Sequence, residues 1–587
     1  MKKIILIAIA LLWTANSLLQ ARTQEEASAI ASQFIGQRVA TIGSAKRAAA
    51  ASKVTLAFTQ NQIDQTTPAL FIFNSGTDDG FVMVSAEDEG RTILGYSDDG
   101  HFDKTNIPTN MQFWLQMYAD ELARYNANKQ PGKPALKRAA VQTSYPTIAP
   151  ILGNVEWGQG EPYNNLCPTV NGERCVTGCV ATAISQIMYV HKHPTKGTGS
   201  HSYTSETHQL TSSADFSATT YDWSNMLPVY TRNNYNTTQA NAVATLMHHV
   251  GIVAEMDYDP EGSGANSAYT LSQMATYFGY DAGIRTLPKD YMREEEVMTA
   301  IISDLEQGHP IFIGGRTKND EGHAFVCDGM QSDGYLHINW GWYGGANGYF
   351  ALSALDPEQQ GTGGSASDMA FTEEVNVYTG IQPDQGGTAQ PLVTVSKIVR
   401  TSEDRVGRNA NIAFSLERFT SSGMATAEGT ICYYIYDSND ILTTIQPIGN
   451  FELPTGHYYT DPITISYPIP SSLPDGEYKL EIGFSDGNDT LHPILAKNAG
   501  RMYFPFTIDS NSITFGEGSG SGGGSNDTPL APITQADISY VQNSTNNTWK
   551  VDLYSSYFWT DSELDDEVLI RLEINSSSTT SVIGTYV

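Results

Sequence analysis

The sequence predicts an α+β protein in its first two-thirds and an all-β protein after that. Three observations predict this. Helical and alternating apolar patterns are mixed as far as about residue 384, and only short alternating runs follow. Three polar or Gly-rich stretches, near 126–145, at Gln385-Gly-Gly-Thr and over Gly516–Ser525, divide the chain. A length of 587 residues implies about three or four domains.

Taken in order, Met1-Lys2-Lys3 is followed by an apolar stretch from Ile4 to Trp13 and small or polar residues to Ala21. That is the layout of a secretory signal peptide over 1–21, too short to span a bilayer. Residues 22–140 are expected to be an α+β unit with its linker. Glu25–Ile35 has helical spacing, Val54–Phe58, Leu70–Phe73 and Phe81–Ser85 are strand-like, and Met111–Tyr125 is helical with Phe113, Leu115, Met117, Tyr118 and Leu122 on a broad apolar face. The stretch from Asn126 to Tyr145 has no periodicity and carries Lys137-Arg138. It reads as an exposed tether or a site of proteolytic processing.

Residues 141–384 combine helices over Cys179–Val190, Ala240–Val250 and Glu294–Gln307 with strands over Pro310–Ile313, Ala324–Asp328, Tyr335–Trp340 and Tyr349–Leu352. Residues 385–515 show runs at Val393–Ile398, Asn411–Leu416, Thr430–Tyr436, Tyr478–Phe484 and Met502–Ile508, separated by turn residues. Without helical patterns these suggest an immunoglobulin-like sandwich. A Gly/Ser linker over 516–526 leads to a strand-rich remainder, 527–587, short for a second sandwich.

Lys and Arg number 33 against 64 acidic residues, a net charge of -31. Such a surface repels nucleic acid and anionic membrane, so neither is expected as a partner. No transmembrane segment is expected either. Five cysteines are too few for a disulfide scaffold, although Cys167 and Cys175 are close enough in sequence to form a local bridge.

The chemistry lies in a Cys…His…Asn-Trp series. Cys179 follows Gly178 and opens an apolar-periodic helix (Val180, Ile184, Ile187, Met188). Free N–H groups and the dipole at a helix start favour a thiolate there. Cys175, outside the periodic run, is the rival. His323, between Gly322 and Ala324, lies about 140 residues downstream, inside the ~130–150 residue range that separates Cys from His in papain-like enzymes. Asn339 is the candidate to fix the His ring, with Trp340 to shield their hydrogen bond. Gln159, about 20 residues before the nucleophile, can donate to an oxyanion alongside the Cys179 N–H. A metal reading using His191, His193, Cys167, Cys175 and Cys179 fits no common spacing. No metal or other cofactor is expected.

Several segments together resemble the streptopain family of secreted bacterial cysteine proteases. They are Gly178-Cys-Val-Ala-Thr-Ala-Ile-Ser-Gln-Ile-Met188, Tyr221-Asp-Trp-Ser-Asn-Met-Leu-Pro228, Met256-Asp-Tyr, Gly322-His-Ala-Phe325, His337-Ile-Asn-Trp-Gly-Trp342 and Gly361-Thr-Gly-Gly364. The resemblance covers about 146–383 and implies a papain-like catalytic domain. It implies an endopeptidase made as a zymogen, with residues 22 to about 140 as an inhibitory prodomain. It further implies Cys179 as nucleophile, His323 as base, Asn339 and Trp340 as an orienting pair, and Gln159 as oxyanion donor. Ser263, Gly264 and Gly322 align with substrate-contacting positions. Protein or peptide substrates and the chain's own prodomain are then the expected partners. A surface or host-protein ligand is a further expectation for the β modules. Cell-wall amidase or transglutaminase chemistry, and a non-enzymatic adhesion or inhibitor protein, are the competing readings.

Overall fold

The structure is a computed structural model. It describes residues 22–42, 54–62, 64–88, 91–128, 145–316, 322–353, 374–487, 490–497, 499–516, 518–520, 538–543, 548–553, 570–576 and 579–586. The signal-like segment, Lys137-Arg138, the Gly361–Gly364 motif and most of the Gly/Ser linker lie outside them. The chain divides into two compact units, Met1–Ser438 with Leu442–Asn526, and Asn439–Ile441 with Asp527–Val587. In the second, Ile538–Asn543 pairs with Thr548–Leu553 and Ile570–Ser576 with Thr579–Tyr586, both antiparallel.

In the first unit, helix α1 (Gln24–Ile42) precedes strands β1 (Val54–Asn61), β2 (Pro68–Ser75), β3 (Phe81–Ser85) and β4 (Ile93–Ser97), then helix α2 (Thr109–Asn128). Three helices follow: α3 (Cys179–His191), α4 (Thr237–Val253) and α5 (Ser267–Phe278). Next come β5 (Arg285–Pro288), α6 (Glu294–Glu306), β6 (Ile311–Arg316), β7 (Gly322–Met330), β8 (Leu336–Asn339), β9 (Gly348–Phe350) and β10 (Glu374–Thr379). These ten strands form one sheet in the order β1-β2-β3-β4-β9-β8-β7-β6-β10-β5. All neighbours are antiparallel, and the seam between the N-terminal and central regions pairs Tyr349 with Tyr96 and Phe350 with Gly95.

The helices begin where local chemistry lets them. Asn236 and Gln239 form a reciprocal capping box at α4, and Asn266 caps α5, which ends on left-handed Gly279. Helix α3 starts after Gly178 with no side-chain cap, so its first N–H groups remain available. Gly178 has φ +83°, and a Cβ there would lie 2.7 Å from the Met256 sulfur and 2.9 Å from the Ser263 carbonyl. Only glycine fits that turn.

The sheet separates two apolar cores. On one side α3, α4 and α5 pack on Ala324 and Val326 of β7. On the other, α2 and α6 pack on Phe325, Cys327, Ile338 and Trp340. Alternation along β7 puts His323 on the α2 side with Phe325 and Cys327.

From Val393 to Phe515 a large sheet and a three-stranded sheet (Lys397–Arg400, Asn411–Glu417, Ile463–Pro468) share one apolar core, including Val393, Phe414, Tyr433, Leu480 and Phe504. This region is β-rich. One pairing, Val393–Val395 with Leu491–Ala496, is parallel.

Candidate active site

Cys179 begins α3 at partial exposure, and its sulfur lies 3.9 Å from the Gly322 carbonyl oxygen. Burial of the sulfur pushes its thiol up, partly offset by backbone N–H groups of Ala324, Val180 and its own residue. His323 is pushed down to about 4 because its ring is removed from water. Both groups are therefore neutral near pH 7, and this is not the thiolate–imidazolium pair that attacks a peptide.

The reason is visible in α2. Its Phe113 ring stacks on the His323 imidazole, centroids 5.1 Å apart and planes inclined by 26°. One turn earlier, buried Asn110 donates its amide N–H groups to the Ala324 carbonyl (2.6 Å) and the Trp340 carbonyl (2.9 Å). Trp114 packs edge-on against Trp340 and Phe325. Residues 110, 113 and 114 share a helix face, so one element bridges β7 and Trp340, just past β8, and covers the His ring.

Asn339 does not meet His323. Its amide N–H donates to the Val155 carbonyl at 2.8 Å, and its oxygen accepts the Gly341 N–H at 3.0 Å. Among the described residues, no hydrogen bond reaches either ring nitrogen of His323. Trp340 is fully buried in the core, its indole N–H on the Ala346 carbonyl. Trp342 is only half-buried, and its indole N–H reaches Asn106 of the N-terminal region.

Gln159 is half-buried, and its carbonyl accepts the Thr177 N–H at 3.0 Å, which ties its loop to the start of α3. Ser263 is buried, its hydroxyl donating to the Val176 carbonyl at 2.7 Å. Exposed Gly264 has open space where a side chain would stand. Exposed Gly322 faces the Ala265 carbonyl, 3.9 Å from its would-be Cβ. Cys179, Gly322 and the Ser263–Ala265 segment are thus brought together, and Asn339 is not.

Two residues at the site escaped the sequence reading. Tyr343, at φ +55°, accepts the Gly160 N–H through its hydroxyl at 2.7 Å and lies flat against Gly158. It clamps the Gln159 loop, and the bare glycines on either side of Gln159 were the available signal. Asn110 gave none, since its partners are backbone carbonyls more than 200 residues away. The rival Cys175 is fully buried and Cys167 nearly so; the two remain free thiols without the local bridge, and burial pushes Cys167 up to about 12. His191 pairs with the Tyr280 hydroxyl and His193 with the Gly279 carbonyl.

Residues 157–350 match the model of the peptidase C10 family, and residues 20–122 that of the Spi protease inhibitor. Streptopain of Streptococcus pyogenes is 32% identical over 381 residues, 62% of this chain and 92% of that protein. The chain belongs to the peptidase C10 family. It is thus a member of a family of cysteine-type peptidases, carrying an N-terminal prodomain of the Spi type. A thiol protease/hemagglutinin, PrtT, of Porphyromonas gingivalis is 32% identical over 396 residues, 65% of this chain. This chain spans 45% of that relative's length. Among solved structures, a fragment of Prevotella intermedia prointerpain A is 32% identical and covers 55% of this chain and 98% of its own, with a TM-score of 0.46. No helix among the described residues is long and apolar enough to cross a membrane.

Proposed function

We propose that this C10 peptidase is an exported cysteine endopeptidase made as a zymogen and held inactive by its own prodomain. The observation that carries this reading is the pairing of Cys179, at the uncapped start of α3, with a His323 ring covered by Phe113. The chain is assembled for the reaction and blocked at its base. The Lys-Lys and apolar stretch at the N-terminus supports export.

Cleavage in the 126–145 stretch, with departure of α2, frees the His323 ring and the Ala324 and Trp340 carbonyls. His323 then turns toward Cys179 and takes the thiol proton, and the thiolate attacks a substrate carbonyl carbon. The Cys179 N–H and the Gln159 amide hold the resulting oxyanion. Collapse breaks the C–N bond, with His323 giving its proton to the leaving amine, and leaves a thioester on Cys179. Water, deprotonated by His323, hydrolyses that ester and returns the thiol. Asn339, released from Gly341, orients the imidazole, and Trp340 shields that contact. Ser263, Gly264 and Gly322 line the substrate path. The β-rich region, proposed as an immunoglobulin-like sandwich over 385–515, serves substrate targeting or surface attachment. Its two sheets on one core support that assignment.

Cys179→Ala tests the reading. Peptide hydrolysis should fall by roughly 10⁴-fold or more while a folded precursor accumulates uncut. Unchanged hydrolysis removes Cys179 as nucleophile. Intact proteins alongside cleaved cell-wall peptides would replace endopeptidase with amidase chemistry.

A further inference from the structure

One turn of the β-rich region reaches the rim of the catalytic cleft. Gly456 lies between the strands Leu442–Leu453 and Ile463–Pro468, at φ +78°. A Cβ on it would stand 2.9 Å from the Asn266 amide nitrogen. Asn266 in turn caps α5, accepting the Tyr269 N–H at 2.9 Å. It directly follows Ser263, Gly264 and Ala265, and the Ala265 carbonyl faces Gly322, whose own carbonyl is 3.9 Å from the Cys179 sulfur. A short run of contacts therefore connects this turn to the nucleophile.

The turn is held firmly. Gly456 N–H donates to Ser421, Ser421 N–H to His457 and Tyr459 N–H to Phe419, at 2.9, 2.9 and 3.0 Å. The β-rich region is itself seated on the catalytic part at two further places. Met424 enters the apolar core that holds Tyr280 and Ile381, and Lys497 pairs with Asp290 at 3.4 Å. On this fixed support Tyr458 and Tyr459 keep 42% and 37% of their surface exposed. The Arg418 guanidinium lies 4.9 Å from the Tyr458 ring centre. Half-exposed aromatic rings on a fixed turn bind ligand at little cost in ordering.

We propose that the turn Pro454–Tyr459 walls an extended substrate subsite. The Tyr458 ring, backed by Arg418, takes a large apolar or aromatic side chain of an extended polypeptide, several residues from the bond being cut. The proposal rests on the endopeptidase reading above. A substrate long enough to leave the cleft past Ser263–Asn266 meets this turn, and a short one does not.

The test uses the activated protein with its C-terminal region intact, carrying Tyr458→Ala or Tyr458→Phe. Each is assayed on unfolded casein and on a short peptide amide reporter. For Tyr458→Ala the casein KM should rise about three- to tenfold at constant kcat, the size of one aromatic contact. The reporter should keep both constants, and Tyr458→Phe should restore the casein KM. An unchanged casein KM overturns the subsite, and so does an equal loss on both substrates, which marks general distortion of the rim. A wild-type protein that cuts neither substrate would instead overturn the endopeptidase reading.

Discussion

The prodomain and the β-rich region both pack on the catalytic part, and they do so by different means. The prodomain continues the catalytic sheet through β4 and β9 and lays α2 across it, placing Asn110 and Phe113 on the strands that carry the site. Among the described residues, the β-rich region adds no strand to that sheet; it touches the catalytic part at Met424, Lys497 and the Gly456 turn. One attachment covers the His323 ring, the proposed base. The other meets Asn266, beside the proposed substrate path, and leaves that ring alone. The difference teaches that a covering segment inhibits here by what it contacts, not by how much it covers.

The largest effect expected on this comparison comes from Glu121, on α2. Its carboxylate pairs with buried Lys289 and accepts the Ser353 hydroxyl at 2.8 Å. Glu121→Ala leaves the ammonium buried without that partner, at a cost of about 3–5 kcal/mol. The precursor's Tm should drop sharply, and an unchanged Tm would show that this pair adds little to the prodomain contact.

Phe113→Ala is expected next, at about 3 kcal/mol of precursor stability for a buried phenyl ring. The more telling consequence is functional: uncut precursor should become reactive toward thiol alkylation and gain peptide hydrolysis. A precursor that is destabilised yet still silent would mean that Asn110 alone restrains the site.

Acid should act in the same direction. The folded precursor holds His323 near 4, and an unfolded chain titrates near 6.5, so the unfolded state binds more protons between those values. The stability contributed by neutral His323 is complete above about 6.5 and is lost as pH falls toward about 4. Thermal unfolding from pH 7.5 to 4.5 should show this decline, and Phe113→Ala should shrink it. The smallest effect, about 2 kcal/mol, is expected from Lys497→Ala, which takes one ion pair from the largely buried Asp290 carboxylate on the other attachment. It should leave precursor silence untouched.

How much of this was legible in sequence follows from how local each signal is. Cys179 at a helix start was readable because glycine, cysteine and apolar spacing sit within a dozen residues. The strand beginning at Gly322 was readable for the same reason. β4 was missed: Ile93-Leu-Gly-Tyr-Ser97 is short and mostly buried, so it lacks the alternation that marks a half-buried strand. α5 was missed beside a Gly-rich loop. The His323–Asn339 contact was expected from chemistry, and Phe113 and Gly341 occupy those groups in the precursor. A sequence lists the parts of the reaction and says little about which are engaged elsewhere before activation.

The seam between prodomain and catalytic sheet is only as long as β9, three residues from Gly348 to Phe350. When the prodomain leaves, the strand it uncovers is too brief to template another chain. The sheet can lose four of its ten strands without exposing a long unpaired border.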